Sequence, residues 1–244
     1  MNSDWQSRTR ILIGEEKVKR LRQAHVAVIG LGGVGGTAAE MIARAGVGKM
    51  TILDSDSFDD SNRNRQAGAF LSTTGRAKTD VMAERLRDIN PDLQLTALNR
   101  YLETEKVRDF LDSIQPCDCV IDAIDSIAPK VKLLECAVTS AQPVVSCMGS
   151  GNRLNPELVR CADISKTDHC PLARTIRQRL RKCGIVSGVT VIFSPECAPE
   201  EAVCETGDFG PNKRSVIGTI SYMPVLFGCH CAAAAIRMIT GQRN

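Results

Sequence analysis

Short apolar runs alternate with segments whose apolar residues recur every three or four positions, and this alternation persists over most of the chain. Residues 10–24 have the spacing of a short amphipathic helix, and "HVAVIG" (25–30) reads as a strand. A glycine-rich turn follows and leads into a helix running to about Ala45. "KMTILD" (49–54) is the next strand, and the polar "SDSFDDSNRNRQ" (55–66) a long loop. A helix over 76–90 carries Val81, Met82 and Leu86, and Pro91 stops it. "DLQLTAL" (92–98) alternates as a strand does, "ETEKVRDFLDSI" (103–114) is helical, and "DCVIDAID" (118–125) is a buried strand. A helix near 128–140 and a strand "PVVSCMG" (143–149) complete this part. Beyond about residue 150, "ELVRCADIS" and "VTVIFS" read as strands on either side of the basic helix "PLARTIRQRLRKCG" (171–184).

Strand–helix alternation of this kind specifies an α/β chain: a Rossmann-like, doubly wound, mainly parallel sheet with a C-terminal strand and helix elaboration. No internal repeat or linker divides residues 1–244, so one domain is expected, its core at about 10–150 and its elaboration at 151–244. The stretch 196–214 is poor in large apolar residues, acidic first and then basic at Lys213 and Arg214, as a mobile loop or lid would be. "IGTISYMPVLFGCHCAAAAI" (217–236) lacks Asp, Glu, Lys and Arg and is long enough to cross a bilayer. Pro224, His230 and its small and hydroxyl residues weaken that reading, so a buried strand and helix is expected and no stable membrane span.

Composition changes this picture little. With 43% hydrophobic residues in 244, one large core can be buried, and a net charge of +3 neither demands nor excludes nucleic acid. Eleven irregularly spaced cysteines fit a reduced cytoplasmic chain better than a disulfide scaffold, and the N-terminus "MNSDWQSRTR" has no apolar signal core.

The chemistry begins at "VIGLGGVGGT" (28–37), five glycines in ten positions directly after a strand. Gly30, Gly32 and Gly35, with Gly33 between them, satisfy the dinucleotide fingerprint, in which bare backbone lets phosphates approach a helix N-terminus. Asp54, 24 residues after Gly30, stands where a carboxylate accepts ribose hydroxyls. To this point NAD and ATP are served equally. The next loop separates them: Asn62, Arg63, Asn64 and Arg65, followed by Lys78, concentrate cations suited to a triphosphate whose leaving pyrophosphate must be stabilised. Asp125, at the end of another strand, can hold Mg²⁺ through oxygen beside those phosphates.

The glycine turn, "DSD" (54–56), "NRNRQ" (62–66), "GRAK" (75–78) and "DAIDS" (122–126) together resemble the ubiquitin-activating-type superfamily of adenylating enzymes related to ThiF and MoeB. The resemblance implies a ribose ligand at Asp54, with Asp56 in the same nucleotide motif. It implies ATP phosphate contacts at Asn62, Arg65 and Lys78, and a magnesium-linked aspartate at Asp125. It also implies that Arg10 reaches the nucleotide of a partner subunit, hence a homodimer. "RQAGAF", "KTDVMAERLRDINP", "VIDAIDSIAPK", "RLRKCGIVSGVTVIFSPE" and "GTISYMPVLFGCHCAAAAIR" narrow the resemblance to the tRNA threonylcarbamoyladenosine dehydratase branch. That branch implies ATP-driven cyclisation of threonylcarbamoyladenosine beside a tRNA anticodon through an acyl adenylate, with a sulfur-transfer protein as a further partner. The chain departs from some members of the branch in having no cysteine within 213–221.

Two further features bear on this reading. Arg174, Arg177 and Arg181 share a helical face, with Arg179 and Lys182 nearby, and can track RNA phosphates. Cys183 and Cys197 are the candidate reactive thiols, although a structural role fits them better. The alternative adenylating reading, activation of a ubiquitin-like sulfur carrier, usually brings paired CxxC motifs that close a zinc site; here only "CDC" (117–119) and "CHC" (229–231) occur. An NAD-dependent oxidoreductase and a non-catalytic scaffold are the other classes to be separated.

Overall fold

The structure, a computed structural model, describes residues 5–197, 203–204 and 216–242. Its frame is a seven-stranded sheet built from β1 (His25–Ile29), β2 (Lys49–Asp54), β3 (Gln94–Asn99), β4 (Cys119–Asp122), β5 (Val144–Cys147), β6 (Arg160–Asp163) and β7 (Thr190–Phe193). The strand order is β3-β2-β1-β4-β5-β7-β6. All neighbours are parallel except β6, which runs antiparallel to β7 at the edge. The chain therefore winds outward from β1 through β2 and β3, then crosses back to place β4 on the other side of β1. Ligands of open α/β sheets bind where that reversal parts two strand ends, here between the carboxyl ends of β1 and β4.

Each central strand is apolar on both faces because helices cover both. Val26 and Val28 of β1 point into one core and Ala27 and Ile29 into the other, all essentially without solvent exposure. The first core is closed by α2 (Glu15–Gln23), α3 (Gly33–Arg44), α4 (Lys78–Ile89) and α8 (Tyr222–Thr240). The second is closed by α5 (Val107–Ser113), α6 (Ile127–Thr139) and α7 (Pro171–Lys182).

The single helix expected over 10–24 is two: α1 (Ser7–Ile13) and α2, broken at Gly14, whose φ of +85° leaves the helical region. The apolar segment near the C-terminus becomes α8. Among the described residues it is the one helix long and apolar enough to cross a membrane. Its apolar residues have another use. Met223, Phe227, Cys231 and Ala235 are buried, and Gly228 lies so close to α3 that a Cβ there would come within 2.5 Å of the Val34 carbonyl. Ahead of α8 the expected strand is only two residues long: β9 (Val216–Ile217), paired antiparallel with β8 (Val203–Cys204). Most of the loop expected over 196–214 lies outside the described residues, Lys213 and Arg214 included.

Candidate active site

The carboxyl ends of β1, β2 and β4 border a cavity of about 1060 Å³. The glycine turn forms its floor through three separable devices. Gly30 has φ +89° and passes within 2.6 Å of the Ala123 carbonyl, measured from the position of an added Cβ. Gly35 lets α3 start against the strand, since a Cβ there would fall 1.8 Å from the Gly30 carbonyl oxygen. Gly32 differs: an added Cβ would meet nothing within 4 Å, so its openness belongs to the cavity and not to the packing.

Asp54 does more than line the floor. Its Oδ2 accepts the Leu31 N–H at 2.6 Å and its Oδ1 accepts the Asp56 N–H at 2.8 Å, so the carboxylate fixes the glycine turn and the next loop together. With two oxygens and about four acceptor sites, it retains capacity for further donors. Asp56 in turn receives Lys78 Nζ at 2.9 Å, and the Lys78 backbone N–H donates to the Asp56 carbonyl at 2.9 Å. Lys78, only 5% exposed at the start of α4, is thereby aimed into the cavity by Asp56.

Arg65 is half-buried in the loop after β2. Its Nη1 donates to the Ser61 carbonyl at 2.7 Å and to Asn64 Oδ1 at 2.8 Å. Burial draws its guanidinium pKa below the usual arginine value, which still leaves it charged. Asn62 closes the preceding turn, its Oδ1 accepting the Asp59 N–H at 3.3 Å. On the opposite wall stands Asp125, exposed on the loop after β4. That loop hangs from a buried pair: Lys130 Nζ lies 2.9 Å from Asp122 Oδ2 and donates to the Ile124 carbonyl at 3.0 Å, with neither side chain of the pair exposed. Ser146 donates to the same Asp122 oxygen at 2.6 Å. Removing one partner from such a pair costs about 3–5 kcal/mol, so the loop carrying Asp125 is firmly held.

All the residues expected at a nucleotide site therefore line one cavity, Arg10 excepted: Gly30, Gly32, Gly33, Gly35 and Asp54 on the floor, Asp56, Asn62, Arg65, Lys78 and Asp125 around it. Arg10 lies on α1, ion-paired with Glu15, and does not line the cavity of its own chain. Among the other lining residues, Arg100, Tyr101 and Gln66 carry polar groups to which the sequence assigned no role. Arg100 and Tyr101 stand at the carboxyl end of β3, a position that could have drawn attention to them. Gln66 is buried with its Oε1 unpartnered, which nothing in the sequence signals.

The chain matches the family model over residues 6–244. It belongs to the ThiF family. This ThiF chain is 44% identical over 190 residues to the tRNA threonylcarbamoyladenosine dehydratase of Bacillus subtilis, covering 78% of this chain and 74% of that one. It is 37% identical over 202 residues to the enzyme of that name from Escherichia coli, with coverages of 79% and 75%. A crystal structure of the E. coli tRNA N6-threonylcarbamoyladenosine dehydratase in complex with ATP superposes with a TM-score of 0.86 at 30% identity, covering 99% of this chain and 97% of that one.

Other candidates resolve differently. Arg177 does not share a free face with Arg174 and Arg181. Its Nη1 donates to the Thr167 carbonyl at 3.0 Å and contacts the Thr167 hydroxyl, so it braces the loop before α7. Arg174, Arg179, Arg181 and Lys182 remain exposed. A second cavity of about 620 Å³ lies beside Arg174 and His169. Cys183 and Cys197 are exposed, but neither lines the first cavity. The "CDC" thiols are core groups: burial pushes Cys117 up to about 11 and Cys119 higher still, which keeps both protonated.

Proposed function

We propose that this ThiF-family protein uses ATP to dehydrate threonylcarbamoyladenosine in tRNA. The observation that carries the reading is the convergence of Arg65 and Lys78 with Asp125 around the glycine floor, in a chain whose B. subtilis and E. coli relatives bear that enzyme's name. ATP lies with its ribose at Asp54 and its phosphates over the open backbone of Gly32, and Asn62, Arg65 and Lys78 take the charge of the departing pyrophosphate. Gln66 Oε1, buried and unpartnered, offers the nucleotide an acceptor.

The donor set suits Mg²⁺. Among the described residues no cluster of three or more His, Cys, Asp or Glu forms a closed cage, and magnesium characteristically takes one or two carboxylates together with substrate phosphates and water. Asp125 would hold it, and the ion would supply charge neutralisation at the phosphates.

In the reaction a threonyl carboxylate oxygen bonds to the α-phosphorus as pyrophosphate leaves, giving the acyl adenylate. The carbamoyl group of the same side chain then closes on the activated carbonyl, loses a proton and expels AMP. Intramolecular nucleophiles reach effective molarities of roughly 10⁵–10⁸ M, so no enzyme thiol is required. The exposed cations of α7 and the adjoining cavity offer the tRNA a phosphate track. Ile11 and Leu12, 86% and 84% exposed beside Arg10, give a second copy of the chain an apolar contact that would bring Arg10 to the partner's nucleotide. Irregularly spaced cysteines, unlike those of a disulfide scaffold, support a cytoplasmic enzyme.

The test is mass spectrometry of tRNA nucleosides after incubation with ATP and Mg²⁺, which should show modified adenosine lighter by one water. ATP–pyrophosphate exchange stimulated by a ubiquitin-like carrier ending in Gly-Gly, and not by modified tRNA, would replace this reading with the sulfur-carrier one.

A further inference from the structure

The loop leaving β5 holds a cation that has no counter-ion among the described residues. Arg153 is 6% exposed, and among the described residues its one side-chain hydrogen bond runs from Nη1 to the neighbouring Asn152 carbonyl at 2.9 Å. Among the described residues its buried Nε has no acceptor and no carboxylate forms an ion pair with it. Glu196, near in the fold, is engaged elsewhere, accepting the Leu154 N–H at 2.9 Å and the Asn155 N–H at 3.0 Å. Next to this donor is an equally unpartnered acceptor: the buried Asn152 Oδ1, on a residue held at φ +60°. A buried guanidinium left unpaired is destabilising by several kcal/mol, so such a pair of orphans calls for an explanation.

Position supplies one. β5 is the parallel neighbour of β4, so this loop emerges beside the one carrying Asp125. It is also tied to the phosphate loop. The Asn152 N–H donates to the Gly218 carbonyl at 2.8 Å, and Asn64, the residue that braces Arg65, donates to the Thr219 carbonyl at 2.9 Å. Neither Asn152 nor Arg153 lines the nucleotide cavity. The two orphans thus lie outside the nucleotide cavity, on a loop joined through residues 218–219 to the one that carries Arg65.

We infer that Arg153 and Asn152 bind the amino-acid end of the acceptor, Arg153 pairing with the carboxylate that is to be adenylated and Asn152 Oδ1 accepting from the hydroxyl or carbamoyl N–H beside it. The inference rests on the dehydratase reading. A carboxylate matches the fork of a guanidinium. A tRNA phosphate would satisfy Arg153 equally, but it brings no donor for Asn152 at neutral pH, whereas a carbamoylated hydroxy-amino acid brings carboxylate and donors together. Arg153 also lowers the repulsion between two anions, the carboxylate and the α-phosphate, that must come into bonding distance. It binds substrate and leaves pyrophosphate departure to Arg65 and Lys78.

Two arms test this. In the first, the KM for modified tRNA should rise about 10–100-fold in Arg153→Gln, the range lost with a hydrogen bond to a charged group, while ATP affinity is unchanged and the free enzyme melts no lower than wild type, since an unpaired buried charge has been removed. In the second, binding of the free nucleoside threonylcarbamoyladenosine is compared with its carboxamide in the presence of a non-hydrolysable ATP analogue. Wild type and Arg153→Lys should prefer the acid, and Arg153→Gln should not. An acid preference retained by Arg153→Gln, or absent from wild type, overturns the inference, and a packing role for Arg153 would leave that preference untouched. Wild-type enzyme that leaves modified tRNA unchanged overturns the dehydratase reading instead, and the nucleoside arm then decides Arg153 by itself.

Discussion

Gly32 and Gly35 stand three residues apart and answer to different demands. An alanine methyl at Gly35 would overlap the Gly30 carbonyl oxygen, so Gly35→Ala should shift the strand–helix junction and cost about 1–3 kcal/mol or more. The same methyl at Gly32 meets no protein atom, and its φ of −66° suits alanine, so Gly32→Ala should melt within about 0.5 kcal/mol of wild type. It should nevertheless bind ATP markedly more weakly, because the methyl occupies the phosphate approach. Calorimetric melting beside ATP titration separates the two, and a Gly32→Ala variant with unchanged ATP affinity would move the nucleotide off this floor. Arg65→Ala and Asp125→Ala belong to the same scale. Each should lower turnover by about 10²–10³-fold without changing the circular dichroism spectrum, as loss of a preorganised charge contact does. Normal turnover in either would remove it from the site. These residues were legible because chemistry requires them at strand ends in a motif. Gln66 and Arg153 were not, since what marks them is the absence of a partner in three dimensions, and Lys130, though inside a quoted stretch, shows its role only once Asp122 is seen beside it.

At the scale of elements, burial decides what the pattern of apolar residues leaves open. Gly14 splits one amphipathic segment into two helices because its backbone, not its neighbours, sets the turn. In the apolar C-terminal segment Pro224, His230 and the small residues already favour core over membrane, and the packing of Gly228 against α3 supplies the reason. Strand ends carry titrations as well. His25 of β1 is buried, with Nδ1 2.8 Å from the Pro116 carbonyl and Nε2 2.9 Å from the Thr51 hydroxyl. A carbonyl can only accept, so Nδ1 carries the proton and Nε2 accepts from Thr51. Desolvation pulls the His25 pKa below 6.5, and burial, with Arg237 nearby, does the same to His230. The unfolded chain therefore binds more protons than the folded one as pH falls through 6.5. The stabilisation is complete above that value and is lost on going down toward the lower folded-state pKa. Urea unfolding at pH 7 and pH 5 should show the loss, and His25→Gln should flatten that slope, the remainder belonging to His230. Glu40, which joins α3 to α4 through Arg85 at 2.6 Å, acts in a separate window. Burial raises its pKa, but hydrogen bonds from Arg85 and Arg44 outweigh that and hold it below 4.5, so its contribution disappears only in more acidic solution.

The whole molecule raises a question its single-chain cavity does not answer: where Arg10 acts. Sequence pattern specified a mainly parallel, doubly wound sheet, because strand–helix alternation admits few topologies, and motif and resemblance together named ten residues that line the cavity. It could not say what stands beyond one chain. Arg10 sits on a seven-residue helix whose Ile11 and Leu12 are almost wholly exposed, and it lines no part of its own nucleotide cavity. If α1 docks on a second copy, each composite site takes Arg10 from one chain and Lys78 from the other. Arg10→Ala and Lys78→Ala homodimers should then both be inactive. Mixing them after mild dissociation should restore up to one quarter of the wild-type activity per total site, the expected share for random pairing (half the dimers heterodimeric, one of two sites intact in each). The recovered activity must rise with the time allowed for subunit exchange. If Arg10 served its own chain, a heterodimer would hold one defective site of each kind and mixing would restore nothing, so the exchange curve alone decides which chain the arginine serves.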